Sequence, residues 1–346
     1  QLHSDVIQER HLETITIIGT GLIGTSIGLA IKRATTNVHI IGYDNSSNHT
    51  RQAANVGAVD KPCESLKEAV STASLVILAT PVNAMHPILD AISPHLTEGC
   101  VVTDTGSTKQ TILKWAETSL PKHVSFVGGH PMAGKELSGP SGADACLFDH
   151  RTYCVIPTET STKEAIEIII GLVETINAVP FFIGAQEHDS FVAAVSHLPH
   201  LLSVTLLEST AGSSSWDDIG RLASTGFKDV SRLASGDPIM RRDICLTNQQ
   251  SIIHWIDVFT KELGKIRELL KHDSPVELQQ LFAKTRTARE QWLSDSQNKD
   301  NFNTSLEQGS VMDRMGELFL GKAIFDKQKR FRDLLSPKNS TKNPAD

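Results

Sequence analysis

The sequence predicts an α/β fold, a doubly wound parallel sheet, joined to a mainly α-helical second domain. Three observations carry this reading. Short apolar runs rich in β-branched residues alternate with helical runs through the first half, the pattern of strands buried on both faces. From Gln186 onward only helical periodicity is legible. The length, 346 residues, suits about two domains, at roughly 100–200 residues each.

The elements follow in order. TITII (14–18) is the first expected strand and leads through a glycine turn into the helical run LIGTSIGLAIKR. VHIIGYD (38–44) is the second. SLVILAT (74–80) and CVVTD (100–104) come next, closed by the turn signals Thr80-Pro81 and Asp104-Thr105-Gly106. HVSFVGG (123–129), TYCVIP (152–157) and AVPFFIG (178–184) complete the series. Helical runs at 65–72, 108–119 and 163–176 lie between many of them. These limits give a first domain over 1–185 and a helical domain over 186–296. The polar stretch 297–305 reads as a linker within a tail over 297–346. In that tail 310–334 is amphipathic and suits one more helix, and 335–346 is expected to be disordered.

Composition excludes several classes. Apolar residues are 39% and charged residues 21%, which allows a sizeable core and excludes global disorder. With 33 Lys+Arg against 40 Asp+Glu the net charge is −7, a poor balance for binding nucleic acid or an anionic membrane. The five cysteines are odd in number and lack CxxC spacing, so we expect reduced thiols in a cytoplasm. The first residues, QLHSDVIQERHLE, contain no apolar core of a secretory signal. The apolar stretch Phe191 to Leu207 is interrupted by His197, Pro199 and His200. It reads as a buried core helix, too short to span a membrane.

Gly19-Thr20-Gly21-Leu22-Ile23-Gly24 is a GxGxxG motif between an apolar strand and a helix, the context that a dinucleotide-binding turn requires. Gly19 allows the tight turn and Gly21 a close approach to a pyrophosphate at the helix N-terminus. Gly24 permits helix–strand packing. Asp44 ends the second strand, where a carboxylate can take both ribose hydroxyls. Asn45, Ser46 and Ser47 bring no cation, and Arg51 is the nearest one, so NAD is expected over NADP. Together these features specify a Rossmann-type domain. Thr80, Pro81 and Ser107 follow later strands and should line the nicotinamide end.

On the substrate side, His130 lies in a GGHP turn after an apolar strand, at the rim of the crevice. It is either a proton-transfer group or an ordinary turn histidine. His188, His197 and His200 converge if Pro199 kinks their helix; no metal-ligand motif accompanies them, and satisfied core histidines are the plainer reading. Lys228 and Arg232 stand at i,i+4, suited to a dianionic substrate or to a solvated face.

The ordered set IIGTGLIGTSIG, DTGSTK, GGHPMAGKELSG, VSHLPH and GFKDVSRLASGDPIMRRDI, over about residues 14–296, resembles the prephenate dehydrogenases, also called arogenate or cyclohexadienyl dehydrogenases. The resemblance implies NAD(P)-dependent hydride removal coupled to decarboxylation of a cyclohexadienol, in tyrosine biosynthesis, by a homodimer whose helical domain dimerises. It implies that His130 accepts the ring hydroxyl proton, Ser107 holds that hydroxyl and the nicotinamide in register, and Arg232 binds a substrate carboxylate. Lys228, His197 and His200 would line the pocket, His188 would support it, and Glu136 would be a mobile gate. Against the family pattern PIMWRD, Arg241 replaces Trp. Thr225 stands for the usual Gly, and Lys135 for a small or hydroxyl residue. Neither a chorismate mutase segment nor a regulatory ACT domain is expected. The competing readings are a β-hydroxyacid dehydrogenase, which would need a lysine where this chain has SHLPH, and a non-catalytic NAD-sensing module.

Overall fold

The computed structural model describes residues 13–135 and 137–305, with side chains to residue 295. They fall into two units that divide between Gly184 and Ala185. The first carries the strands β1 (Glu13–Ile18), β2 (Val38–Tyr43), β3 (Lys61–Cys63), β4 (Leu75–Leu78), β5 (Val101–Asp104), β6 (Ser125–Pro131), β7 (Thr152–Pro157) and β8 (Val179–Phe182). They form one sheet in the order β3-β2-β1-β4-β5-β6-β7-β8. The short β3 escapes the sequence reading because it contains Pro62 and buries only Cys63.

Alternate residues of each strand enter opposite cores. Ile15, Ile17, Leu75 and Ile77 join Ile27 and Ile31 of α1 (Leu22–Ala34) and Ile169 and Val173 of α6 (Lys163–Thr175). Ile18, Val76 and Leu78 join Met85 and Leu89 of α4 (Val82–Ile92) and Ile112 of α5 (Gln110–Ser119). Burial on both faces is why these strands read as near-continuous runs of apolar and β-branched residues. The smaller helices α2 (Ser47–Asn55) and α3 (Leu66–Val70) flank β3. The expectation of a wholly parallel sheet needs one correction. β6 and β7 are antiparallel, with His130 opposite Cys154. The described residues of 132–151 contain the 3₁₀ turn Pro140–Gly142 and no crossover helix, so the chain re-enters the sheet in the opposite sense.

The second unit is helical: α7 (Ala185–Val192), a π-helical turn (Ala193–His197), α8 (Leu198–Ala211), α9 (Trp216–Leu222), α10 (Thr225–Ser231), a 3₁₀ turn (Arg232–Ser235), α11 (Pro238–Thr247), α12 (Gln249–Lys271) and α13 (Pro275–Ser305). Ala193, Ile244 and Ile252 form its small core.

Two expectations change here. The apolar stretch around Pro199 is not broken. Pro199 sits at the start of α8 directly after the widened π turn, which absorbs its missing N–H, and the helical run continues over Ala185–Ala211. By length and composition this run suffices to cross a membrane, yet only 28% of its apolar window is buried within the chain. It is therefore not the buried core helix expected; Phe191 and Val195 face outward. Residues 297–305, read as a linker, continue α13: nothing from Val276 to Ser305 is Gly or Pro, so no breaker stops the helix. The expectations for 310–334 and 335–346 lie outside the described residues.

Candidate active site

The glycine turn has the geometry its sequence requires. Gly19 has φ +95°, a conformation open to glycine. A Cβ on Gly24 would strike the Gly19 carbonyl, so α1 can approach β1 only with glycine there. A Cβ on Gly21 meets nothing within 4 Å, leaving backbone accessible where a pyrophosphate would lie, beside the N-terminal residues Leu22 and Ile23 of α1. Asp44 follows β2. Its Oδ2 accepts from the Thr20 amide at 2.8 Å and its Oδ1 from the Ser46 amide at 2.9 Å. The Thr20 hydroxyl lies 3.4 Å from Oδ2 and His49 Nδ1 3.5 Å from Oδ1, both longer contacts that a ribose hydroxyl would replace, so the turn fits a dinucleotide. Arg51, the alternative phosphate reader, is exposed on α2 and reaches Ser47. After β4, the Thr80 hydroxyl is buried with no hydrogen-bond partner among the described residues, and Pro81 caps α4.

A fully buried ion pair organises the next two strand ends. The Asp104 carboxylate accepts from Lys109 Nζ, from the Gly106 amide at 2.7 Å and from the Gly129 amide at 3.1 Å. Lys109 Nζ also donates to the Gly129 carbonyl at 2.7 Å, and both side chains are 0% exposed. One carboxylate thus holds the turn bearing Ser107 and the backbone adjoining His130. His130 itself is buried and lies within β6 as its second-last residue, not in a turn beyond the strand. The neighbouring glycine serves the sheet as well: a Cβ on Gly129 would collide with the Asp104 carbonyl and the Tyr153 ring. Burial, with the negative Asp104 second, pushes the Tyr153 hydroxyl well above its ordinary range, so it stays neutral. The sequence reading did not single out Asp104 or Lys109, which hold these two strand ends together. The polar run DTGSTK carried no signal of the pair, because a buried pair and a surface pair look alike in sequence.

Glu136 lies outside the described residues. Its neighbour Lys135 pairs with Asp144 at 2.9 Å, and the Asp144 amide bonds to Ser26 of α1, which anchors this loop.

In the helical unit the three histidines separate. His188 is buried against Asp189 at 2.9 Å. The Asp189 carbonyl accepts from Asn248 Nδ2 at 2.7 Å, and that amide also lies 3.3 Å from His197 Nδ1. This network ties α7 and the π turn to the α11–α12 junction. His197 and His200 line one cavity with Arg241, whereas His188 does not. Burial, and secondarily the Arg241 cation, push His200 down to about 4, so it is neutral at pH 7. Lys228 on α10 and Arg232 at its end are exposed and outside that cavity. Ser203 of α8 fixes their segment: its hydroxyl donates to the Val230 carbonyl at 2.8 Å and accepts from the Ala234 amide at 3.0 Å. No group of three or more metal-ligating residues occurs among the described residues.

A Rossmann-type sheet with a glycine turn and ribose carboxylate, followed by an all-helical unit, defines a two-domain dinucleotide-dependent oxidoreductase. The profile described as "Prephenate dehydrogenase, nucleotide-binding domain" matches residues 27–181, and "Prephenate dehydrogenase, dimerization domain" matches 184–284. The chain is 35% identical to the prephenate dehydrogenase of Bacillus subtilis (strain 168), over 80% of this chain and 75% of that one. It is 32% identical to the cyclohexadienyl dehydrogenase of Zymomonas mobilis, over 80% and 94%. The crystal structure of prephenate dehydrogenase from A. aeolicus, in complex with hydroxyphenyl propionate and NAD+, superimposes with a TM-score of 0.77 at 29% identity, covering 82% of this chain and 99% of that one. The chain belongs to the prephenate dehydrogenase family.

Proposed function

We propose that the protein catalyses NAD-dependent oxidative decarboxylation of prephenate to 4-hydroxyphenylpyruvate, as a cytoplasmic homodimer of tyrosine biosynthesis. The observation that carries this reading is the Asp104 carboxylate, which ties the Ser107 turn to the backbone beside His130 at the sheet's carboxyl edge. NAD, when bound, supplies the hydride acceptor. His130 accepts the ring hydroxyl proton and Ser107 orients that hydroxyl. Raising electron density at the carbinol carbon favours hydride departure, and loss of carbon dioxide aromatises the ring. Arg232 pairs with a substrate carboxylate, with Lys228 on the same exposed segment; His197 and His200 contribute from the cavity they share, His188 supports them and Glu136 is the gate. The dimer is supported by the dimerisation-domain match and by the exposed Ile256, Leu263 and Leu270 on α12. The five unpaired cysteines are consistent with a reducing compartment.

Steady-state kinetics with prephenate and arogenate, each with NAD and NADP, tests the reading. No turnover of either substrate would reject it. Arogenate is the alternative, favoured by the similarity to a cyclohexadienyl dehydrogenase. A kcat/KM ratio on that side would move the assignment. Arg232→Ala is expected to raise KM strongly while leaving NAD affinity alone; losing one partner of a charged pair costs on the order of 2–5 kcal/mol when desolvated, and less at this exposed position. An unchanged KM would make Arg232 a surface residue. NAD should be preferred over NADP, because a 2′-phosphate beside Asp44 sets like charges together, costing roughly 4 kcal/mol at 4 Å and an effective dielectric of about 20. Asp44→Ser should narrow that preference. A wild-type preference for NADP would reassign the reading to Arg51.

A further inference from the structure

Asn248 joins α11 to α12, and its backbone serves both helices. Its amide donates to the Ile244 carbonyl and its carbonyl accepts from the Ile252 amide, each at 3.1 Å. An asparagine at the start of a helix ordinarily turns its side chain to the free amides of the first turn. This one makes no such bond to α12. It is buried, and its Nδ2 instead meets two groups across the unit: the Asp189 carbonyl of α7 at 2.7 Å and Nδ1 of His197, the last residue of the π turn, at 3.3 Å. A backbone carbonyl only accepts, so the atom that faces it is the amide nitrogen, and the orientation of the side chain is settled. The two hydrogens on that nitrogen diverge. One goes to Asp189 and the other falls to His197 Nδ1. That ring nitrogen must therefore offer its lone pair, and the imidazole carries its proton on Nε2. His188 braces the arrangement through the Asp189 carboxylate at 2.9 Å. The π turn contributes as well, because its extra residue rotates His197 relative to the frame of α7.

We infer that Asn248 is a positioning residue: it fixes the ring orientation and the tautomer of His197, so that His197 serves the reaction as a hydrogen-bond donor and not as a base. The inference rests on the proposed function for the part His197 plays. It separates the duties of two histidines. His130 takes the ring hydroxyl proton. His197 has its lone-pair nitrogen turned to Asn248, and the polar atom that the ring has left is an N–H. A donor suits an anionic substrate, whereas a ring turned over would set a lone pair against it.

The test reads the tautomer directly, by proton–nitrogen correlation NMR of the full-length protein carrying isotopically labelled histidine. The His197 signals are those lost in His197→Gln. In the wild type the proton should sit on Nε2. In Asn248→Asp, whose carboxylate only accepts, it should move to Nδ1, and in the apolar Asn248→Leu the two tautomers should mix. Kinetics supply the second readout. Asn248→Leu should raise KM for prephenate roughly 2–12-fold, the net worth of one hydrogen bond, with NAD affinity unchanged. In a His197→Gln background the same substitution should add nothing further, because it acts through His197. A wild-type proton on Nδ1, a tautomer that stays put in the folded Asn248 variants, losses that simply add in the double variant, or NAD affinity falling along with KM would each overturn the inference. The NMR signature is read without substrate. A wild type that turns over neither prephenate nor arogenate therefore rejects the proposed function and leaves the tautomer result standing by itself.

Discussion

His130→Asn is expected to lower kcat by roughly 10²–10⁴, the range for general acid–base assistance, with a much smaller change in substrate affinity. The residue sits next to last in β6, buried, with its backbone paired to Cys154 of β7. The strand is held from both sides, so a smaller polar side chain there removes the imidazole and leaves the backbone in register. Asparagine retains a hydrogen-bonding group for the ring hydroxyl but cannot take its proton. The loss should therefore fall on kcat, and the acidic limb of the kcat/KM profile should vanish with the imidazole. Rapid mixing to measure the hydride step, together with NAD titration, separates this from misfolding. A variant that keeps most of its kcat removes His130 from the reaction.

What the sequence made legible follows from which forces leave a periodic trace. Strands β1, β4 and β5 were readable because both faces are buried and most positions are apolar or β-branched. The glycine turn was readable because each glycine answers a separate steric demand. Strand direction leaves no such trace: β7 has the same apolar pattern in either sense, so its antiparallel entry stayed hidden. The apolar count of the 185–211 run could not say which side of the helix meets its own chain, and much of it does not. Polarity misled at 297–305, where a helix needs only the absence of breakers to continue. Among the candidate site residues, Ser107 and Asp44 were legible from their strand-end positions, whereas His130, read in a turn, lies within β6. Asp104 and Lys109 were not legible, because a buried ion pair and a surface pair look alike in one dimension. Lys228 and Arg232 were read as one helical face, whereas Arg232 opens a 3₁₀ turn whose position is set by Ser203, a residue that periodicity does not single out.

Lys109→Met should be the most destabilising of the single substitutions considered. Removing one member of a buried pair leaves the other charge uncompensated, at a cost of about 3–5 kcal/mol. The Asp104 carboxylate would retain the Gly106 and Gly129 amides but lose its counter-ion, and the Gly129 carbonyl would lose a donor in a site with no solvent exposure. For a unit of this size each kcal/mol moves the melting temperature by roughly 2–4 °C, so a fall of roughly 6–20 °C is expected. Function should drop with stability in a particular way. The same pair holds the Ser107 turn and the backbone next to His130, and an error of about 1 Å in reacting geometry can cost about a hundredfold in rate. At a temperature where the variant is fully folded, kcat should therefore fall well below wild type while NAD affinity, set at the β1–α1 turn, changes little. The double variant Asp104→Asn/Lys109→Met removes both charges. It should recover part of the lost stability, because no buried charge is left alone, but not the rate, because the amide side chain cannot accept both glycine N–H groups with charged oxygens. A Lys109→Met protein that melts with the wild type would show that the pair contributes nothing to the sheet edge. Recovery of rate along with stability in the double variant would show that it supports the fold without positioning His130.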